Sequence, residues 1–186
     1  MSSTQSLRND HLLIEKMLKS LSITIQLLQD GKKIPRNILE QTIDFTKNFT
    51  NICHHGKEED SLFPNLEKNG MKREGGPIAR MIFEHQITNQ LVEKMEKSCQ
   101  EYLESDINQS LLLDIQNYID HVSSHLMKEN LRLFVMADMI LGNQKEEINS
   151  ELKKTEESKL KEIGKRREHY EDIVENINLG LKNVKL

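Results

Sequence analysis

Two segments of the chain repeat one pattern. Residues 54–63 read HHGKEEDSLF and residues 125–134 read HLMKENLRLF, and both place a His four residues before a Glu and end in Leu-Phe. On an α-helix, positions four residues apart lie on one face, one turn from each other. Each segment therefore predicts a helix that aims an imidazole and a carboxylate at one point. Two such helices packed together would form a metal site.

Apolar residues recur at intervals of three and four along most of the chain, the spacing typical of amphipathic helices. This spacing predicts helices over about residues 4–30, 36–69, 77–105 and 108–141, separated by short turns, of which the first two contain glycine. Pro64 is expected to kink or end the second helix. The predicted core of that helix consists of Phe45, Phe49, Ile52, Leu62, Phe63 and Leu66. Four helices joined by short turns favour an all-α fold, an antiparallel up-down four-helix bundle.

The remainder of the chain predicts one additional long helix. Its apolar positions follow a near-heptad register, from Leu160 through Tyr170 to Val184. We therefore expect residues 1–142 to form the bundle and residues 143–186 to form a C-terminal amphipathic helical extension. The extension either packs on the bundle or pairs with a second copy of the chain to give a homodimer.

Charge and hydropathy argue against two kinds of partner. The net charge is −4 with both signs interspersed and no dense basic patch, so nucleic acid is not expected as a partner. No apolar run approaches the roughly 20 residues of a membrane span, and the N-terminal segment lacks the pattern of a signal peptide. A cytoplasmic location is expected. Cys53 and Cys99 are too few for a disulfide framework, and Cys53 is interpreted as a core residue rather than a thiol near a metal.

Polar residues interrupt three of the apolar stripes. His11, His85 and the pair of His125 with Glu129 stand where Leu or Ile would be expected. Burying so many polar groups costs several kcal/mol unless they are satisfied together, and a shared metal ion or ion pair would satisfy them. Imidazole with carboxylate suits iron, zinc, copper or manganese and argues against an iron–sulfur cluster. Four His and two Glu exceed the ligands of one structural zinc and suit two bridged metals.

The runs CHHGKEEDSLFPNLEKNG, EGGPIARMIFEHQ and HLMKENLRLF resemble the hemerythrin-like, or HHE cation-binding, domain family, over roughly residues 5–140. The family has a His on the first and third helices and His-x-x-x-Glu on the second and fourth. The residues that match in order are His11, His54, Glu58, His85, His125 and Glu129. The resemblance implies a non-haem di-iron centre with an oxo or hydroxo bridge, in which both Glu bridge the irons and zinc or manganese can replace iron.

The adjacent His54 and His55 leave an alternative. The apolar stripe of the second helix passes nearer His55 and Glu59, whereas the internal repeat and the family pattern select His54 and Glu58. We favour His54 and Glu58, with His55 as an extra ligand or as a donor to a bridging carboxylate. His121 and Glu15 lie one turn from predicted ligands and either approach the site or lie on the surface.

The resemblance also bears on function. Oxygen-carrying hemerythrins have an additional His where this chain has Met81. The four His take one position each, and the two bridging Glu and the oxo or hydroxo bridge take two positions each. About ten of the twelve positions on two octahedral irons are then filled, and about two stay open. This implies a protein that engages O₂, NO or peroxide in sensing, stress response or slow redox chemistry. The alternatives are an iron-handling module for storage, delivery or sensing, and a structural bundle that dimerises. No Ser-His-Asp arrangement or phosphate loop is present, so whether the chain is an enzyme stays open.

Overall fold

The computed structural model describes residues 2–185, and within that range it contains helices and turns but no β-strand. The helices are α1 (Gln5–Gln29), α2 (residues 36–68), α3 (Pro77–Ser105), α4 (residues 109–141), α5 (Lys145–Ile163) and α6 (Arg167–Lys185). The predicted all-α class is confirmed, and α1 to α4 lie within a residue or two of their predicted ends. α1 contacts α4, α4 contacts α3, α3 contacts α2 and α2 contacts α1, which closes a ring of four helices.

The prediction of one long C-terminal helix is wrong. The chain turns at Gly164, whose φ of 72° is a left-handed conformation that glycine adopts without strain, and two helices result. α6 packs on α1 and α2 of the same chain, where Tyr170, Val174 and Ile177 are buried. Of the two predicted alternatives, packing on the bundle is the one observed. A homodimer through this face of α6 would require α6 to detach from α1 and α2.

α2 is not α-helical throughout. Its segments Phe45–His55 and Glu58–Leu62 are π-helical, in which each N–H bonds to the carbonyl five residues back and the turn is wider. In this wider turn Phe45, Phe49 and Cys53 share the buried face, whereas Ile52 is 39% exposed. The predicted core position of Ile52 is therefore wrong, because a period of 3.6 residues was assumed.

α2 also continues through Pro64. This proline stands in the first turn of the last α-helical part, Phe63–Lys68, where its missing N–H is tolerated. Of the two predicted effects of Pro64, a kink or an end of the helix, the end is therefore wrong. The second copy of the repeat has a matching irregularity, a π-helical segment at Glu129–Leu133. Short π-helical turns of this kind occur often at functional sites.

The apolar core is divided into two clusters. The larger contains Leu21, Phe49, Val92 and Tyr118, and the smaller contains Leu7, Leu66, Ile78, Phe134 and Leu152. Between the two clusters lies a buried polar layer formed by one turn from each of α1 to α4, which we call the His/Glu layer. None of the described helices is long and apolar enough to cross a membrane.

Candidate metal centre

The His/Glu layer contains the six residues predicted as ligands, His11, His54, Glu58, His85, His125 and Glu129, and each is at most 2% exposed. Two overlapping groups of four side chains can be drawn from them, and within each group the donor atoms lie within 4.8 Å of one another. One group contains His11 and His54, and the other contains His85 and His125. Glu58 and Glu129 belong to both. The structure therefore brings together all six predicted residues around two adjacent positions with two shared carboxylates.

Distances within the layer show which His rings each carboxylate faces. Oε2 of Glu129 lies 3.2 Å from Nε2 of His11, and Oε1 lies 3.2 Å from Nε2 of His125. The two oxygens of one carboxylate thus face different His groups. Oε2 of Glu58 lies 3.2 Å from Nε2 of His85 and 3.9 Å from Nε2 of His54. Each of the two Glu side chains therefore faces His rings of both groups.

Both carboxylates of the layer and two of its inward ring nitrogens lack hydrogen-bond partners. No group with hydrogen-bonding geometry meets either oxygen of Glu58 or Glu129, or Nε2 of His85 or His125. A buried polar atom without a partner costs about 1–3 kcal/mol. Nε2 of His11 and Nε2 of His54 also face each other at 3.2 Å, although both are the donor atoms that a cation would use. These atoms fit a cation-binding site, because a pair of cations would satisfy them together.

A polar side chain on a neighbouring helix bonds to the outward Nδ1 of each predicted His ligand. The pairs are Asp10 with His54 at 3.2 Å, Glu59 with His85 at 2.6 Å, Glu84 with His125 at 3.0 Å, and Asn130 with His11 at 2.9 Å. The contacts run from α1 to α2, α2 to α3, α3 to α4 and α4 back to α1. A bond at Nδ1 fixes the ring orientation and leaves Nε2 facing the metal position.

Neighbouring His and Glu side chains in the layer stabilise each other's charged forms. Burial lowers the pKa of His125, but the negative charge of Glu129 close to its ring and the bond to Glu84 outweigh burial and raise it to about 9. Burial likewise lowers the pKa of His85, while Glu129 and Glu58 raise it well above its ordinary value. Burial raises the pKa of Glu129, but His125 and His11 hold it well below its ordinary value. Cations entering the layer would displace protons from these rings.

His55 is a seventh polar residue of the layer. Its side chain is 3% exposed, and neither ring nitrogen has a hydrogen-bond partner. Its ring stacks on His85 with centroids 3.8 Å apart, and its donor atom groups with those of His85 and His125 within 4.8 Å. Burial and the neighbouring His rings hold the pKa of His55 well below its ordinary value, so a lone pair is free to bind a cation. The wide π-helical turn lets both His54 and His55 face inward.

The other candidates lie outside the two groups of four. Glu59 is 40% exposed at its side chain and bonds to His85 from outside. His121 bonds to the backbone oxygen of Glu84 at 3.0 Å, and Glu15 is exposed. Cys53 is fully buried in the apolar core, and burial raises the pKa of its thiol to about 12, as expected of a core residue.

Sequence reasoning missed the outer partners Asp10, Glu84 and Asn130. A signal was present, because each stands next to a predicted ligand: Asp10 beside His11, Glu84 beside His85 and Asn130 beside Glu129. Each partner, however, bonds to a ring on a different helix. The assignment needs the order of the helices around the ring, which one sequence does not contain.

Comparison with protein families matches residues 2–137 to the Hemerythrin HHE cation binding domain. Comparisons with curated proteins and with solved structures gave no match. The matched span covers most of the chain and contains the whole His/Glu layer. The family binds metal cations, in agreement with the His and Glu groups that could hold them. The chain belongs to the hemerythrin HHE cation-binding domain family.

Proposed function

We propose that this protein binds two iron ions side by side in the His/Glu layer and that the iron pair engages a small ligand such as O₂, NO or peroxide. The observation that carries the proposal is the sharing of Glu58 and Glu129 between two groups of donor atoms. Imidazole and carboxylate donors suit iron, and zinc or manganese can occupy such a set. The domain that holds the metals comprises residues 1–142, an antiparallel four-helix bundle, and residues 143–186 form the extension.

The number of protein donors limits what else can bind. His11 and His54 with one oxygen from each Glu fill four of about six positions on one ion. His55, His85 and His125 with the same two carboxylates fill about five on the other. A ligand shared by both ions takes one position on each. About one position then stays free, on the ion beside His11 and His54, instead of the two that a site without His55 would have.

The protein groups supply position and environment. The apolar clusters on both sides of the layer exclude water, and the Nδ1 contacts hold the rings in place. Bound iron would supply redox chemistry and an open position for the small ligand. Burial raises the pKa of the Cys53 thiol, so this side chain is not poised to act as a nucleophile.

The function is tested by loading the full-length protein with Fe(II) without oxygen and recording its optical spectrum before and after NO. We expect about two irons per chain and a new absorption band when NO is added. Replacement of Glu40 with Gln, an acid on α2 whose side chain is 62% exposed and pairs with Arg36, should leave both results unchanged. Two bound irons that respond to neither NO, O₂ nor peroxide would leave iron storage or delivery as the function. A protein that takes up no iron would contradict both the small-ligand function and the iron-handling function.

Replacing His55 with Leu tests its role as a seventh ligand. We expect the ion beside His85 and His125 to bind at least ten-fold more weakly, because a ligand matters at least as much as its outer partners, whose loss costs 10–100-fold. The ion beside His11 and His54 should keep its affinity. Metal titration against a chelator measures both constants. The matched control is His169→Leu on α6, whose ring bonds to Asp44 far from the layer; equal losses in both variants would show that His55 does not bind metal.

A further inference from the structure

A second buried cluster of charges adjoins the His/Glu layer and reaches into the C-terminal helices. Asp10 of α1 and Lys57 of α2 are completely buried, and Glu156 of α5 and Arg167 of α6 meet them. Nζ of Lys57 lies 2.5 Å from both Asp10 and Glu156, and Nη1 of Arg167 lies 2.7 Å from Asp10 and 3.2 Å from Glu156. Two carboxylates and two cations balance one another. We call these four residues the charge cluster.

Asp10 joins the charge cluster to the metal centre. Its Oδ2 faces both Nδ1 of His54, at 3.2 Å, and Nζ of Lys57. Its Oδ1 receives a hydrogen bond from Arg167. A planar carboxylate held at one oxygen can rotate, and one held at both oxygens cannot. Arg167 therefore fixes the plane of Asp10, and with it the direction in which Oδ2 accepts the proton of His54.

The C-terminal helices contact the outer partner of a His ligand in only one half of the described site. The partners of His11, His85 and His125 are Asn130, Glu59 and Glu84, all within the span matched to the family. Glu84 is itself held by Lys128 and Arg80, which also lie within that span. Arg167 and Glu156 lie beyond it. Among the residues that the structure describes, His54 is thus the ligand whose outer partner is anchored by α6.

We propose that Arg167 is a positioning residue for the ion beside His11 and His54, so that docking of α6 sets the affinity of one of the two metal ions. The inference rests on the two-metal site proposed above. It assigns a role to the part of the chain outside the family domain. When α6 is docked, both ions are held tightly. When it is undocked, His54 loses its fixed orientation and the ion with the free position is the one released.

The test is a titration of the full-length protein with Co(II) against a chelator, with the visible spectrum recorded at each step. Wild type should bind two ions. For Arg167→Gln we expect one ion to bind 10–100-fold more weakly, the range for loss of an outer partner, while the other changes less than about three-fold. Arg167→Lys, which keeps the charge but donates at one point, should lie between. Glu171→Gln is the matched control, because it removes a partner of Arg167 on α6 and leaves Asp10 bonded.

A double-mutant cycle identifies the affected ion. In a His54→Gln background, Arg167→Gln should produce no further weakening, because Arg167 acts through His54. If Arg167 had a merely structural role, Arg167→Gln would weaken the binding of both ions in the otherwise wild-type protein, and its effect would add to that of His54→Gln. Equal weakening of both ions, no weakening, or additivity in the cycle overturns the inference. If Arg167→Gln does not fold, the same criteria apply to Arg167→Lys. Wild type binding fewer than two Co(II) ions would instead contradict the two-metal site itself.

Discussion

Replacing Glu58 and Glu129 together with Gln is expected to abolish the binding of both metal ions. Each carboxylate belongs to both donor groups, and Gln keeps only one neutral oxygen, so the double replacement removes both shared carboxylates and both negative charges. Loss of an outer partner already costs 10–100-fold in affinity, and loss of two bridging ligands should exceed 100-fold for both ions. Metal analysis after loading with Fe(II) and gel filtration measures the result. Gln has the same shape as Glu, so the fold should persist.

Single replacements separate a shared site from two independent ones. Either Glu→Gln change alone should weaken both ions, whereas His11→Gln should weaken mainly the ion on its own side. Glu40→Gln is the matched control, an acid on the same helix as Glu58 whose side chain is 62% exposed and pairs with Arg36. A Glu58→Gln protein that loses one ion and keeps the other at full affinity would show that this carboxylate is not shared.

Metal binding is expected to raise the melting temperature by about 10–20 °C. A ligand at 100 times its Kd stabilises the folded state by about 2.7 kcal/mol, so two ions contribute about 5 kcal/mol. In a domain of this size each kcal/mol shifts Tm by about 2–4 °C. The metal also satisfies the buried oxygens of Glu58 and Glu129 that otherwise have no partner. Scanning calorimetry of the protein with and without Fe(II), in the absence of oxygen, measures the shift.

The Glu58→Gln/Glu129→Gln protein is the control for that shift. Its melting temperature should be the same with and without Fe(II). An equal rise in this variant would place the stabilising metal elsewhere on the protein. No rise in wild type, under conditions where two ions are bound, would mean that the ions also bind the unfolded chain.

The fold could be predicted from the sequence where one rule held over a whole element. The three-and-four spacing located α1 to α4, and glycine marked the first two of the turns between them. The rule failed at Ile52, because a π-helical turn changes which residues share a face. It failed again at Gly164, because the apolar spacing of Leu160 and Tyr170 gives no sign that the helix is interrupted between them.

The candidate site could be predicted as a set of residues but not as a geometry. The internal repeat and the polar breaks in the apolar stripes selected the six residues that the structure brings together; their role as ligands stays a prediction. His55 was left undecided because a single sequence does not show that α2 widens there. Asp10, Glu84 and Arg167 were missed because their partners lie on other helices. Contacts of that kind depend on packing, which one sequence does not specify.

Anomalous diffraction from crystals of the iron-loaded protein, recorded at the iron edge, tests the central claim most directly. The two-metal site predicts two anomalous peaks about 3.5–4 Å apart. Both peaks should lie within bonding distance of Glu58 and Glu129, with His11 and His54 on one peak and His85 and His125 on the other. A single peak, or iron bound away from these two carboxylates, would contradict the account.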